Sequence, residues 1–121
     1  MFKDKLVVVT GGSGFIGTHY IEELLDRQAR IRTHTHEKPM KLNDERVEVL
    51  PNINLENIDD CRRLVKGADY VIHAAGKIGH PSFIARDFQA TLNQISVISN
   101  VLDACVSAGV KGFLDINSST G

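Results

Sequence analysis

The chain lacks the features that mark membrane proteins and nucleic-acid-binding proteins. Its 121 residues carry 14 Lys+Arg against 15 Asp+Glu, so it has no basic excess to offer a phosphate backbone. No apolar run approaches the length of a membrane span, and the opening stretch Met1–Lys5 has no apolar signal-peptide core. We therefore expect neither a nucleic-acid partner nor a membrane partner.

Cysteine is also scarce, and the two that are present form no motif. Cys61 and Cys105 fit no metal or redox spacing, so we expect reduced, buried thiols in a cytoplasmic protein. His34 and His36 share one face of a predicted strand, but no third ligand is near them in sequence, and no metal site is expected. Hydrophobic residues at 42% and charged residues at 24% are ordinary for one globular domain, residues 1–121.

The most informative feature that is present is a glycine-rich turn after a short apolar run. Leu6–Val9 is followed by Thr10-Gly11-Gly12-Ser13-Gly14-Phe15-Ile16-Gly17, which fits both Gly12-x-Gly14-x-x-Gly17 and Gly11-x-x-Gly14-x-x-Gly17. A helix that starts in such a turn offers unpaired N–H groups and a partly positive end to a pyrophosphate, which meets no Cβ on approach. Thr18 stands where a triphosphate-binding loop would have Lys, which argues against that loop. The alternative interpretation is an ordinary tight turn.

Strand and helix patterns alternate along the rest of the chain. The predicted strands are Lys5–Thr10, Arg30–His36, Val47–Leu50, Asp69–Ala74 and Gly112–Asn117, and the predicted helices are Phe15–Arg27, Ile58–Lys66 and a long one ending near Ala108. This alternation predicts an α/β fold, a doubly wound parallel sheet of about five strands in order 3-2-1-4-5 with helices on both faces. The order places the Gly11–Gly17 turn at the topological switch point, where ligands bind.

Four stretches of the chain, in the right order, resemble one known family. They are Thr10–His19, Gly67–Ala75, Asn93 with Leu102–Cys105, and Val110–Phe113 leading to Ser118-Ser119. The first is similar to Thr-Gly-x-x-Gly-Phe-Ile-Gly-Ser-His and the second to Gly-x-Asp-x-Val-x-His-x-Ala. Both motifs are typical of the extended short-chain dehydrogenase/reductases, also called NAD-dependent epimerase/dehydratases. The resemblance covers the whole chain and implies a Rossmann fold.

The resemblance also implies a role for individual residues. Gly11, Gly14 and Gly17, with the amides of Phe15 and Ile16, would hold the pyrophosphate of NAD or NADP. The other cofactor-binding positions that it implies are Asn54 and Leu55 beside the adenine, Ala74, Ala75 and Gly76 under the ribose and phosphates, and Asn93 near the nicotinamide. Ser118 or Ser119 would be catalytic and hydrogen-bond a substrate hydroxyl or carbonyl. The resemblance leaves the choice between these two serines open.

The residues after the second strand bear on the choice between NAD and NADP. Thr35 occupies the place of the acid that bonds the ribose hydroxyl in NAD-binding proteins. His36 and Lys38 could meet a 2′-phosphate, although Glu37 could take the hydroxyl role. The sequence therefore leaves NAD(P) open and slightly favours NADP.

One departure from the family concerns its catalytic pair, a tyrosine with a lysine four residues later. Tyr20 and Tyr70 are the only tyrosines, and Leu24 and Ala74 stand where the lysine should be. Because the sequence also ends at Gly121, just past the serines, we expect the N-terminal portion of a longer enzyme or a truncated relative. In an isolated chain the fifth strand would be a sheet edge and the long helix would lose neighbours, so we expect self-association into a homo-oligomer, or marginal stability.

The resemblance implies an enzyme that transfers a hydride during epimerisation, dehydration or reduction. Its small-molecule substrate would be a nucleotide-sugar or a similar hydroxyl/carbonyl compound, and the chain alone would be inactive without the Tyr-x-x-x-Lys pair. The alternative is a non-catalytic NAD(P)-binding sensor or partner-binding module. Two further residues attract attention: His73, expected as a hydrogen-bonded core residue, and Asp115, expected near a strand end or at an exposed edge.

Overall fold

A computed structural model describes residues 2–11, 15–35, 44–74 and 88–115 of the chain. Its strands are β1 (Leu6–Thr10), β2 (Arg30–His34), β3 (Val47–Leu50), β4 (Tyr70–His73) and β5 (Gly112–Asp115), and its helices are α1 (Phe15–Asp26), α2 (Ile58–Val65) and α3 (Phe88–Ala108). None of the helices in these ranges is long and apolar enough to cross a membrane.

The five strands form one parallel sheet in the order β3-β2-β1-β4-β5. The predicted α/β fold and strand order are therefore confirmed. The chain moves outward from β1 to β2 and β3, then returns across the sheet to β4 and β5. Because parallel crossovers are right-handed, this reversal puts α1 on one face and α2 with α3 on the other. The reversal makes the carboxyl end of β1 the switch point of the sheet.

Each face of the sheet carries its own apolar core. Val7 and Val9 of β1 point toward α1, where they pack with Ile21 and Leu24, among others. Val8 points the opposite way, into a cluster that joins α2 and α3 to the sheet. The members of that second cluster are Val8, Ile53, Leu55, Cys61, Leu64, Val65, Ala68, Val71, Val101, Ala104 and Cys105. Residues of β1 are thus buried on both faces, as expected of a central parallel strand.

Element boundaries differ from the prediction by one or two residues where side chains or turns interrupt the sheet. β2 ends at His34 rather than His36; the next residue, Thr35, still donates its N–H to the Leu50 carbonyl and accepts from the Ile53 N–H. For α2, Asn57 caps the start and Gly67 follows the end with φ +77°, a left-handed value typical of the residue after a helix end.

Candidate functional site

The polar side chains that the described residues bury lie together at the carboxyl end of the sheet. These residues are Thr10, Thr33, His34 and His73, with exposures between 0% and 8%. Each is the last or next-to-last residue of its strand. A buried polar group is unfavourable unless it is hydrogen-bonded, so the end of the sheet where they concentrate is the candidate functional site.

Three of these side chains form a row across the face that α2 and α3 cover. Thr10 pairs in register with His73, and His73 pairs with Asp115 on β5. On the other side, His34 lies two residues past Arg32, the partner of Val8, and so stands opposite Thr10. Asp115, the final and exposed residue of β5, ends the row, in agreement with both expectations for it. The row runs directly beneath the start of the glycine-rich turn.

Thr10 and His73 are joined by a short buried hydrogen bond. The Thr10 Oγ1 to His73 Nδ1 distance is 2.6 Å, and the Ala74 N–H donates to the same hydroxyl at 3.1 Å. Burial lowers the pKa of the His73 imidazole, and the negative charge of Asp115 opposes part of that shift. The imidazole also stacks on Phe113, with ring centroids 6.2 Å apart. His73 is a hydrogen-bonded core residue, as predicted, and its bond aligns the end of β4 with the end of β1.

Between β1 and β2, side chains make the connections at this same end of the sheet. The paired register of these strands ends at Val8 and Arg32, whereas β1 stays paired with β4 through Thr10. Beyond that point, side chains of β2 contact the backbone of β1 and of the turn. The Thr33 hydroxyl donates to the Val9 carbonyl at 2.7 Å, and the Gly11 N–H donates to His34 Nε2 at 3.1 Å. In an open α/β sheet the switch point is a crevice outside the carboxyl ends of the strands, and here two specific side chains of β2 connect its edges.

The glycine-rich turn leaves β1 at the mouth of this crevice. Gly11 has φ +70°, a left-handed value that glycine adopts without the steric cost of a Cβ. The helix α1 begins at Phe15, and Gly17 is buried within its first turn. The N-terminal end of α1 thus follows immediately on the carboxyl end of the central strand, which is the arrangement that an anion-binding helix start requires. Gly14 lies outside the described residues.

A cavity of about 350 Å³ lies beside the crevice, under the loop that precedes α2. It is lined by His34, Ile53, Asn54, Leu55, Glu56 and Val97. Asn54 and Leu55, the two residues predicted to meet the adenine, therefore lie next to the end of β2. The size falls within the range of ligand pockets, at its small end.

Hydrogen bonds from two helices fix the loop over this cavity. Asn100 of α3 donates through Nδ2 to the Leu55 and Glu56 carbonyls, each at 3.1 Å, and the Cys61 thiol donates to the Leu55 carbonyl at 3.3 Å. The Asp60 carboxylate accepts from the Asn54 N–H at 3.0 Å. A loop bound from α2 and α3 in this way presents a preformed wall to a ligand.

The side chain of Asn54 is partly committed within that loop. Its Oδ1 accepts the Glu56 N–H at 3.0 Å, which fixes the amide so that Nδ2 is the remaining donor group. A carbonyl oxygen has two lone pairs, so one acceptor position on Oδ1 is left beside the donor. Asn54 can therefore offer both a donor and an acceptor to a heterocycle.

The structure brings together some of the predicted site residues and leaves others undescribed. Gly11 directly follows β1, Ala74 directly follows β4 and bonds to Thr10, and Gly17 lies in the first turn of α1, while Asn54 and Leu55 line the cavity. Phe15 and Ile16 open α1 and Asn93 lies in α3, but the side chains of these three are outside the described part. The predicted residues that fall wholly outside it are Gly14, His36, Ala75, Gly76, Ser118 and Ser119.

Three residues of the site were missed or misassigned from sequence. The sequence places Thr10 only in the glycine motif, suggests no role for His34 once a metal site shared with His36 is not expected, and does not single out Asn100. A buried hydroxyl or imidazole at the last position of a strand next to that motif was the available signal for the first two. In the ranges 2–11, 15–35, 44–74 and 88–115 no cluster of three metal-ligating side chains is present.

Comparisons with known proteins agree with this fold. The NAD dependent epimerase/dehydratase family matches residues 7–120. Human 3 beta-hydroxysteroid dehydrogenase type 7 is 32% identical over 95% of this chain and 33% of its own length. GDP-mannose 3,5-epimerase 1 of Oryza sativa subsp. japonica is 26% identical over 93% of this chain and 30% of its own.

A solved structure gives the same result in three dimensions. UDP-N-acetylglucosamine 4-epimerase from Methanobrevibacter ruminantium M1, in complex with UDP-N-acetylmuramic acid, is 30% identical and superimposes with a TM-score of 0.75. The match covers 92% of this chain and 37% of that one. The chain spans about a third of the length of the curated relatives it matches. On its sequence and its fold, the chain belongs to the NAD-dependent epimerase/dehydratase family.

Proposed function

We propose that the carboxyl end of the sheet binds a nicotinamide dinucleotide, and that the chain is the cofactor-binding domain of an epimerase, dehydratase or reductase. One observation carries the proposal: at the switch point of the sheet order β3-β2-β1-β4-β5, Gly11, at φ +70°, turns the chain from β1 toward the start of α1. A pyrophosphate fits such a crevice because the helix end supplies N–H groups and the glycines leave room for it.

The two halves of the nucleotide would occupy neighbouring parts of this crevice. The pyrophosphate would lie over Gly11, Gly14 and Gly17 against the amides of Phe15 and Ile16. Its adenine would enter the cavity, where Asn54 offers a donor and an acceptor and Leu55 lies in the apolar wall. Ala74, Ala75 and Gly76 would pass under the ribose and phosphates, and Asn93 would lie toward the nicotinamide.

We propose further that NADP is preferred to NAD. Thr35, not an acid, follows β2. With its backbone turned toward β3, it leads into His36 and Lys38, whose side chains suit a 2′-phosphate. Equilibrium dissociation constants for the two cofactors test the preference, with tighter binding of NADP(H) as the expected result.

The reaction that this domain would serve is hydride transfer between the nicotinamide and a hydroxyl or carbonyl carbon. When bound, the cofactor supplies the hydride chemistry, and the protein orients it. Ser118 or Ser119 would hydrogen-bond the reacting oxygen of a nucleotide-sugar or similar small molecule. A general acid/base would have to come from outside these 121 residues, since neither Tyr20 nor Tyr70 has a lysine four residues on. The chain alone would therefore bind cofactor without turnover.

The outer face of α3 supports the proposal that isolated chains associate. Its exposed apolar side chains are Leu92, Ile95, Leu102 and Val106, exposed by 56%, 50%, 41% and 81%. Their positions, with Ser99 between them, repeat at intervals of three and four, which is the spacing of a two-helix seam. We propose that the same stripe of a second copy covers them. Free Cys61 and Cys105, buried in one cluster, suit a cytoplasmic protein.

Calorimetric titration of the folded chain with NADP⁺ and NAD⁺ tests the central proposal. We expect saturable binding of one molecule per chain, and its loss in Gly14→Val, where a branched side chain would occupy the space of the pyrophosphate. A thermal melt of each sample establishes that it is folded. Wild-type protein that melts cooperatively and binds neither cofactor would contradict the proposal.

A further inference from the structure

We propose that His34 is a positioning residue of the nucleotide site, and that its neutral imidazole fixes the course of the chain from β1 into the glycine-rich turn. The inference rests on the proposed function, because the ligand of that turn is taken to be the dinucleotide. The inference goes beyond the proposed function because it assigns a role to the His34 side chain, which lies at the end of β2 and contacts the backbone of the turn.

The position of the His34 side chain carries the argument. The paired register of β1 and β2 ends at Val8 and Arg32, and Gly11 follows the last residue of β1. The Gly11 N–H donates to His34 Nε2 at 3.1 Å. His34 is 8% exposed and also lines the 350 Å³ cavity, so one ring contacts both the turn and the proposed adenine pocket.

The direction of this hydrogen bond specifies the protonation state of the ring. Nε2 accepts, so it carries no proton, and a neutral His34 holds its proton on Nδ1. In an imidazolium both nitrogens are donors. Protonation of His34 would therefore set two N–H groups against each other and release Gly11. A glycine at φ +70° that has lost this bond samples many more conformations, and binding must then restrict them.

The charged groups around His34 belong to several elements. Among the described residues, Glu56 lines the same cavity and would favour the protonated ring. Arg32, two residues earlier on the same face, is held by Glu48 at 2.7 Å. His73 lies beyond Thr10 and is bonded to the Thr10 hydroxyl. On β3, Leu50 pairs with His34 and brings no charge.

Cofactor affinity measured against pH tests the role. In the 121-residue chain we expect the dissociation constant for NADH, which has no 2′-phosphate for His36 to meet and is followed by its fluorescence, to rise about tenfold between pH 8 and about 5.5, where imidazoles take up a proton. His34→Gln places an amide oxygen near the position of Nε2 and should bind as wild type at pH 8 without the pH dependence. His34→Leu should bind weakly throughout. His19→Gln, at an exposed position of α1, should keep the wild-type profile.

A second readout needs no ligand. In the ligand-free protein the amide resonance of Gly11 should shift as His34 titrates, and the shift should vanish in His34→Gln. A flat affinity profile for the wild type, or a Gly11 resonance that does not move with pH, overturns the role of His34 and leaves the proposed function intact. Absence of binding at every pH, with Gly11 still titrating, instead overturns the proposed function. If His34→Gln fails to fold, the wild-type resonance decides alone.

Discussion

The two ends of the sheet use polar side chains in opposite ways. At the amino end, Asp69 accepts the Leu6 N–H at 2.9 Å and pairs with Lys111 at 3.6 Å, with both side chains partly in solvent. At the carboxyl end, Thr10, His34 and His73 are almost wholly buried and bond to one another or to the backbone of the turn. The first arrangement connects strands at little desolvation cost, while the second places polar groups out of contact with solvent at the ends of the strands.

This difference separates stabilisation from function. Surface ion pairs contribute little and are easily replaced, so polar residues at the amino end need no ligand to explain them. Buried polar groups are costly unless every partner is in place, and apolar residues would fill the same positions more simply. Among the described residues they are confined to the carboxyl end of the sheet, and we propose the binding site there on that ground. Variants at the two ends should then separate affinity from stability.

Two glycines with the same backbone conformation give the largest expected contrast. Gly11 at the carboxyl end has φ +70°, and Gly109, between α3 and β5 at the amino end, has φ +72°. Alanine at either should cost about 1–2 kcal/mol of stability, because a Cβ is disfavoured in the left-handed region. Only Gly11→Ala should also weaken NADPH binding, by about tenfold or more on the same physical grounds. Thermal melts and fluorescence titrations measure both. Equal NADPH affinities in Gly11→Ala and Gly109→Ala would contradict the proposed difference between the two ends of the sheet.

The apolar stripe on α3 should respond to charge without affecting the nucleotide site. Val106, near the C-terminal end of α3 and 81% exposed, would be buried by a second copy. Val106→Glu should weaken self-association by at least about tenfold, since burying one such side chain is worth about 1.5–3 kcal/mol. Sedimentation at several concentrations measures this. Ser107→Glu, on a different exposed face of the helix, is the control. A wild-type chain that is monomeric at every concentration would refute the stripe as an interface.

Two buried threonines at the carboxyl end allow a finer test. Thr10→Val removes the hydroxyl that bonds His73 Nδ1 and the Ala74 N–H, and Thr33→Val removes the bond to the Val9 carbonyl on the α1 face. Each should lose about 1–3 kcal/mol of unfolding free energy, because a buried partner is left without its bond. Denaturant unfolding measures that loss. Because only Thr10 belongs to the row of side chains on the α2/α3 face, we expect reduced cofactor affinity in Thr10→Val alone. An equal reduction in Thr33→Val would contradict a role of that row in cofactor binding.

Asp69 at the amino end should give the smallest effect, and only on stability. The Leu6 N–H, together with Lys111 and Lys5, holds the pKa of Asp69 below its usual value. A depressed folded-state pKa contributes stability above about pH 4 that is lost as pH falls through the folded value. Asp69→Asn should therefore melt below wild type at pH 7, with the gap closing in acid. Asp103 is exposed on α3, and Asp103→Asn should change neither the melting temperature at pH 7 nor its dependence on pH. An altered NADPH affinity in Asp69→Asn would contradict the proposed difference between the two ends of the sheet.

The fold was largely predictable because its signals are local. Buried β-branched runs such as Leu6–Val9 identify parallel strands, and Gly67 after α2 could be placed in the left-handed region from its position alone. Residues of the candidate site could be predicted only where they belong to a sequence motif. The roles of Thr10, His34 and Asn100 depend on contacts across 63, 23 and 45 positions of sequence, and no periodicity encodes such pairings.

Amide chemical-shift mapping tests the central claim most directly. NADPH added to the isotopically labelled 121-residue chain should shift resonances at the carboxyl end, including Gly11, Thr35, Asn54, Glu56 and Ala74. The resonances of Leu6, Asp69 and Lys111 at the amino end should stay in place. Shifts that cluster at the amino end would contradict a nucleotide site in the crevice at the carboxyl ends of β1 and β2. The absence of shifts in a well-dispersed spectrum at saturating NADPH and NADH would contradict it equally.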